Sequence, residues 1–324
     1  MKLLAPLFVI LSGMDIIIWH IYHPQSPPLG QHIEFAAGMQ YFQFSSMSTL
    51  LYWVPQHGLP GWLGAALFMQ MKDEAGFYRH SMLLGACIFL WSFFSALGLA
   101  LLIIVWFALM PQYIRTAVLP PSALLQQAGS ALLLLTVFLY ISSNNLSMGY
   151  EFFAGTLTET GQWPRYAAFL AFEFALVGVC ALLLIPRGRR GLLVALLIIL
   201  AILPLYKVGI LNDIAMRTSI PVLFVFWCVV LDSLSNSRGN RFTAGTLKGL
   251  IMFAILVGAV TPGMEIYRSL ANYRISLPRL ENVKDVDKVW ISRLTALYIG
   301  HRQSFFFRNL AQDTTGKIGI RDEK

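Results

Sequence analysis

The chain has 324 residues, 57% of them hydrophobic and only 12% charged, with a mean hydropathy of +0.65. A soluble domain carries about a quarter charged residues, so this is the composition of a polytopic membrane protein. The net charge of +8 does not make it a nucleic-acid binder, because the arginines and lysines sit in short clusters between apolar spans, where they orient helices instead. Cys87, Cys180 and Cys228 each lie in an apolar run with no second cysteine nearby, which excludes a disulfide framework and a thiolate metal site.

In chain order, apolar stretches long enough to cross about 30 Å of hydrocarbon fall near residues 3–22, 82–109, 124–143, 166–186, 191–211, 219–234 and 249–266. The first is too long, and too poor in a cleavage site, to read as a signal peptide. Residues 34–71 are apolar and aromatic but interrupted by Pro55-Gln56-His57-Gly58-Leu59-Pro60. Prolines forbid one continuous helix, so the segment is expected to be a re-entrant or broken-helix hairpin with two pieces meeting at Pro55 to Pro60, its backbone covered by protein or a water-filled cavity. The fold class is thus all-α: a transmembrane helical domain over residues 1–266 with seven spans plus the hairpin, followed by a small extracytoplasmic C-terminal appendage, residues 267–324.

Two basic loops set the orientation. Arg187, Arg189 and Arg190 form one, and Arg238, Arg241 and Lys248 the other. Placing both inside, with Arg115, puts residues 23–81, 144–165, 207–218 and the C-terminus outside. Most unusual polar residues then share the outer face.

The densest polar group there is His32 and Glu34, followed by Gln40, Tyr41 and Gln43, then Trp53, Gln56 and His57. Amides, a carboxylate and imidazoles interleaved with aromatic rings suit a carbohydrate or lipid-headgroup site; an interfacial aromatic belt is the plainer alternative. A second group is Lys207 with Asn212, Asp213 and Arg217. Asp213 and Arg217 are four apart and share a helix face, so they either pair with each other or leave Arg217 and Lys207 to hold a phosphate. Asp15 and Glu173 lie inside apolar helices, where a carboxylate is a functional candidate by default. His20, His23 and His32-x-Glu34 give only a weak metal signal, and no metal ligands are assigned. The Walker, dinucleotide, His-Glu-x-x-His and Gly-x-Ser-x-Gly signatures are absent.

In the His-x-Glu, Ser-Ser, Trp-Val-Pro-Gln-His and Asn-Asp-x-x-Met-Arg-x-Ser-Ile-Pro segments, covering roughly residues 12–62 and 207–221, the chain resembles bacterial C-type membrane glycosyltransferases that use a polyprenyl-phosphate sugar. That resemblance implies a multi-pass protein of the bacterial cell membrane, with Glu34 as the early acidic base, Arg217 as a phosphate contact, membrane lipid and a polyprenyl-phosphate-linked sugar as partners, and often a divalent cation. Seven spans are fewer than such enzymes have, so the chain would correspond to the C-terminal part of a longer protein. The alternative is a non-enzymatic transporter or an assembly subunit acting with a partner membrane subunit.

Overall fold

The computed structural model describes residues 4–25, 32–35, 42–115, 119–143, 150–209, 212–235, 241–272 and 304–310. The described chain is mostly helical: α1 (Leu4–Ile10), α2 (Asp15–Tyr22), α3 (Met47–Trp53), α4 (Pro55–Met71), α5 (Ala75–Trp91), α6 (Phe93–Leu109), α7 (Pro121–Ile141), α8 (Phe153–Glu159), α9 (Trp163–Leu184), α10 (Arg187–Leu205), α11 (Ile214–Ser235), α12 (Arg241–Gly258), α13 (Val260–Asn272) and α14 (Phe305–Asn309). Among the described residues, five helices are long and apolar enough to cross a membrane: α7, α9, α10, α11 and the continuous Phe242–Ala271 stretch of α12 and α13. Two shorter apolar stretches, Leu7–Tyr22 and Phe93–Leu109, accompany them.

The expected span over residues 82–109 is two helices. Ser92 is extended, with φ −152° and ψ 108°, and its hydroxyl caps α6 by accepting from the Ser95 amide. The apolar run is unbroken across this point, so hydropathy carries no mark of the turn; only a small capping residue does. Helices α5 and α6 fold back on each other beside α4. At one end Tyr78 packs on Phe107, Trp106 Nε1 donates to the Lys72 carbonyl at 2.9 Å and Tyr113 donates to the Asp73 carbonyl at 2.9 Å. At the other, His57 Nδ1 meets Ser92 Oγ at 2.7 Å, and Ser95 Oγ donates to the His57 carbonyl at 2.8 Å. Lys72, Asp73 and Glu74 therefore lie at the pole opposite His57. Leu109, at the end of α6, lies beside Gly191 of α10, which puts the Arg187 to Arg190 loop at that same pole. The sequence places residues 23–81 on one membrane face; in the structure His57 and Lys72 lie at opposite ends of α4.

Residues 47–71 form two helices, as expected, but the break falls at Val54 (φ −140°, ψ 50°) and the second piece runs 17 residues with Pro60 inside it. A residue before proline avoids the α region, while Pro55 itself fits the first helical position, where no amide hydrogen is needed. The chain therefore bends one residue before the proline pair rather than within it.

The first apolar stretch is also discontinuous. Leu11 to Met14 leave the helix, and the freed backbone groups are taken up by neighbours: Leu11 O accepts from the Met47 amide at 3.3 Å, Val9 O from Ser48 Oγ at 2.7 Å, and the Met14 amide donates to Phe172 O at 3.0 Å. Phe172 belongs to a π-helical turn, Ala171–Ala175, inside α9. A short antiparallel ribbon, β1 (Tyr150–Phe152) with β2 (Tyr206–Val208), sets Glu151 opposite Lys207. Of the expected C-terminal appendage only residues 304–310 are described beyond Asn272; there Phe306 packs edge-on against Tyr140 of α7, with centroids 5.3 Å apart.

Candidate functional site

Around His32 the structure gathers residues from four elements. A 3₁₀ turn, Ile33–Phe35, carries Glu34; an extended segment carries Gln43; α3 supplies Thr49 and Trp53; and α13 supplies Glu265 and Arg268. Glu34 Oε1 accepts from Thr49 Oγ1 at 2.5 Å and the Ser46 amide at 2.9 Å, and Oε2 accepts from Gln43 Nε2 at 2.8 Å. Its side chain is fully buried, and His32 Nε2 lies 3.7 Å from Oε2. Glu34 is thus a carboxylate already served by three donors.

Glu265 holds the more open half. It accepts from His32 Nδ1 at 2.7 Å through one oxygen, and from Trp53 Nε1 at 3.1 Å and Arg268 Nη2 at 3.0 Å through the other. Arg268 stands 5.0 Å above the Trp53 ring, a cation–π contact that also fixes the guanidinium plane. Trp53 is 60% exposed and Tyr52 51%, so aromatic faces lie open beside a buried carboxylate. With Nδ1–H committed to Glu265, the neutral His32 ring presents Nε2 as an acceptor, and Gln43 Nε2 meets it at 3.2 Å. Burial works against a charge on His32. The hydrogen bond that His32 donates to Glu265 and the charges of Glu34 and Glu265 outweigh it, and hold the imidazole pKa above its ordinary value. Burial likewise pushes the Glu34 carboxyl up, the His32 charge and the donors from Thr49 and Ser46 opposing it in part.

The second group assembles one helical turn past the Val54 bend. His57 and Ser92 are joined as described, and the charge of Arg217 is felt at His57. Arg217 Nη2 pairs with Asp213 Oδ1 at 3.1 Å and its guanidinium lies 5.9 Å from the Phe94 ring centre. Asn212, fully buried at φ +59°, donates to the Pro204 carbonyl at 3.3 Å and accepts from the Ala215 amide, so it shapes the turn into α11. Lys207 stands apart, 3.8 Å from Glu151 across the ribbon.

Of the residues singled out from the sequence, His32, Glu34, Gln43 and Trp53 come together, and His57, Asp213 and Arg217 form a neighbouring group. Lys207 joins neither; Gln56 is exposed; Gln40 and Tyr41 lie outside the described residues. Glu265 and Arg268 were missed, because the end of the last span reads as the start of a tail. Their i, i+3 spacing beside the expected membrane surface was the available signal. Among the described residues no three or more histidine, cysteine, aspartate or glutamate side chains converge as cation ligands. The oxygens of Glu34 and Glu265 are engaged by protein donors, so this donor set does not fit a resident divalent cation. Comparison with protein families, with curated proteins and with solved structures finds no match to this chain.

Proposed function

We propose that the chain transfers a sugar from a polyprenyl-phosphate carrier at the extracytoplasmic face of a bacterial membrane, at a site between the His32 and Arg217 groups. In this reading the broken α1 and α2 pair, α4, α5, α6, α7, α9, α10, α11 and the α12 and α13 stretch all cross the bilayer, and the C-terminus lies outside. The pole with Lys72, Arg115, Arg187, Arg189 and Arg190 is the cytoplasmic one, in keeping with the enrichment of cations in short inner loops. With cysteines replaced elsewhere, Asp73→Cys and Arg189→Cys are expected to react with an impermeant maleimide from the same side, and Glu159→Cys from the other. Opposite labelling of positions 73 and 189 would break this crossing scheme.

The observation that carries the reading is the open Trp53 ring beside the buried Glu265 and Arg268, one bend away from Arg217. Aromatic faces stack on sugar rings, and guanidinium forks suit phosphate oxygens. With the Gln43 amide donating to Glu34 Oε2 (2.8 Å) and leaving Nε2 (3.2 Å), the acceptor hydroxyl would attack the anomeric carbon and give its proton to His32 Nε2, while the bond from that carbon to the phosphate oxygen breaks and the phosphate leaves with the electron pair. Glu265 fixes the tautomer of His32 and favours its protonated form in the transition state. Arg217 holds the phosphate alike in the bound donor and in the leaving group. Glu34, saturated with donors and shut from solvent, fits the role of positioning Gln43 and His32 better than that of the base expected from the sequence. In proteoliposomes given a polyprenyl-phosphate sugar, His32→Gln is expected to lower transfer by roughly 10²-fold or more, with KM for the donor little changed; Arg217→Ala should act mainly on KM. An unaltered rate in His32→Gln would remove the assigned base.

The discontinuity at Leu11 to Met14 supports a second reading, a carrier, since broken spanning helices line the substrate sites of transporters. Movement of the lipid-linked or free solute into vesicles without any transfer would favour it.

A further inference from the structure

The break in the first helix is closed on one side by a carboxyl group. Glu173, from the π turn of α9, reaches into it so closely that a Cβ atom on Gly13 would lie 2.1 Å from Glu173 Oε2. Asp15 begins α2 at the same place, two residues on from Gly13, and its carboxyl and that of Glu173 act on each other electrostatically. Asp15 Oδ2 also accepts from Thr261 Oγ1 at 3.0 Å and Ser12 Oγ at 3.4 Å. Asp15 is 1% exposed and Glu173 4%. The remaining oxygen, Glu173 Oε1, is buried and has no hydrogen-bond partner.

A second negative charge beside the first is strongly disfavoured in a low-dielectric interior, so two neighbouring buried carboxyl groups tend to keep one proton between them. The hydroxyl donors of Ser12 and Thr261 both point at Asp15, which makes Asp15 the acceptor. Glu173 then carries the proton, giving it to Asp15 through one oxygen and keeping an unpartnered carbonyl oxygen at Oε1. We propose that Asp15 and Glu173 form a proton-binding pair at the break of the first helix, holding one proton between them and exchanging it with the outer pole.

Glu34 and His32 act electrostatically on the pair, and Glu265, one turn beyond Thr261 on α13, continues the line to Arg268 at the open cluster. An irregular turn sits beside it on one more element, the π turn in α9, and Gly258 at the end of α12 abuts the Ser12 carbonyl. Intramembrane chains of acidic and histidine side chains are the usual material of proton relays. Exchange is a simple transfer: the proton leaves Glu173 for Asp15, then leaves Asp15 outward to solvent, and the pair passes from one negative charge to two. Discontinuous helices are what such a change of charge would move. The proposal does not depend on sugar transfer and stands or falls separately.

Dicyclohexylcarbodiimide, which reacts with neutral carboxyl groups in apolar surroundings, reads the proton directly. In the full-length protein in lipid vesicles at neutral pH, mass spectrometry is expected to find the adduct on Glu173, its yield falling as pH rises and unaffected by sodium ions. Infrared difference spectra should show a protonated carboxyl stretch that shifts in D₂O and is lost in Glu173→Gln. In Asp15→Asn, removal of the neighbouring negative charge lets Glu173 ionise more readily, so labelling should fade at lower pH than in wild type. No adduct and no such infrared band at any pH in the wild-type protein would overturn the proposal, a readout that needs no variant to fold. Protection by sodium would overturn it equally and assign the pair to a cation.

Discussion

Gly98→Ala is expected to destabilise the protein by about 2–3 kcal/mol, the cost of overpacking a rigid contact. A Cβ there would sit 2.1 Å from the Thr218 carbonyl oxygen and 2.6 Å from Pro221 Cγ. The first of these is backbone and cannot swing aside. Gly98 is where α6 lies against the π turn, Ile214–Thr218, that opens α11, a close approach that membrane helices make through small residues. Because Arg217 belongs to that turn, the substitution should weaken donor binding as well as lower the unfolding temperature in detergent. Gly85→Ala and Gly129→Ala serve as controls: nothing lies within 4 Å of a Cβ at either position, and both residues are in helices, so each should be neutral or slightly stabilising. Equal unfolding temperatures for Gly98→Ala and Gly85→Ala would show that the α6 to α11 contact is looser than described.

Glu265→Ala is the second large effect. It strands three donors together, His32 Nδ1, Trp53 Nε1 and the Arg268 guanidinium, and losing the partner of a largely buried charged group costs about 3 kcal/mol. The pH dependence gives a finer reading. His32 has a folded-state pKa above its unfolded value, so the stability it contributes is fully present below the unfolded histidine pKa and is lost as pH rises through the folded one. Wild type should therefore become less stable between mildly acidic and mildly alkaline pH. Glu265→Gln, which keeps a hydrogen bond but removes the charge, should flatten that step. A step of unchanged size in Glu265→Gln would detach His32 from Glu265.

Much of this arrangement could be read from residues alone. The helical membrane class follows from composition, and the weak point near Pro55 follows from proline chemistry, placed one residue late because the constraint acts on the residue before. The clustering of His32, Glu34, Gln43 and Trp53 was legible because each is polar or amphipathic where apolar residues are expected. The turn at Ser92 was not, since a lone serine in an apolar run differs little from a buried one until its hydroxyl is seen to cap α6 and meet His57. Nor was the partnership of His32 with Glu265, which joins residues more than two hundred positions apart. Asp15 and Glu173 stood out individually as intramembrane carboxylates, but only tertiary packing, and the space left by Gly13, shows that they face each other.

In the proposed function a lipid-linked phosphate sugar binds between the Trp53 and Arg217 groups. A photoreactive polyprenyl-phosphate sugar, added to the full-length protein in lipid vesicles and mapped by mass spectrometry, tests it most directly. Crosslinks are expected on α3 and the first turns of α4 and α11, around Trp53, His57 and Arg217, competed by unlabelled carrier and reduced by Arg217→Ala. Crosslinks confined to the lipid-facing surfaces of α5 and α7, or unaffected by competitor, would contradict it.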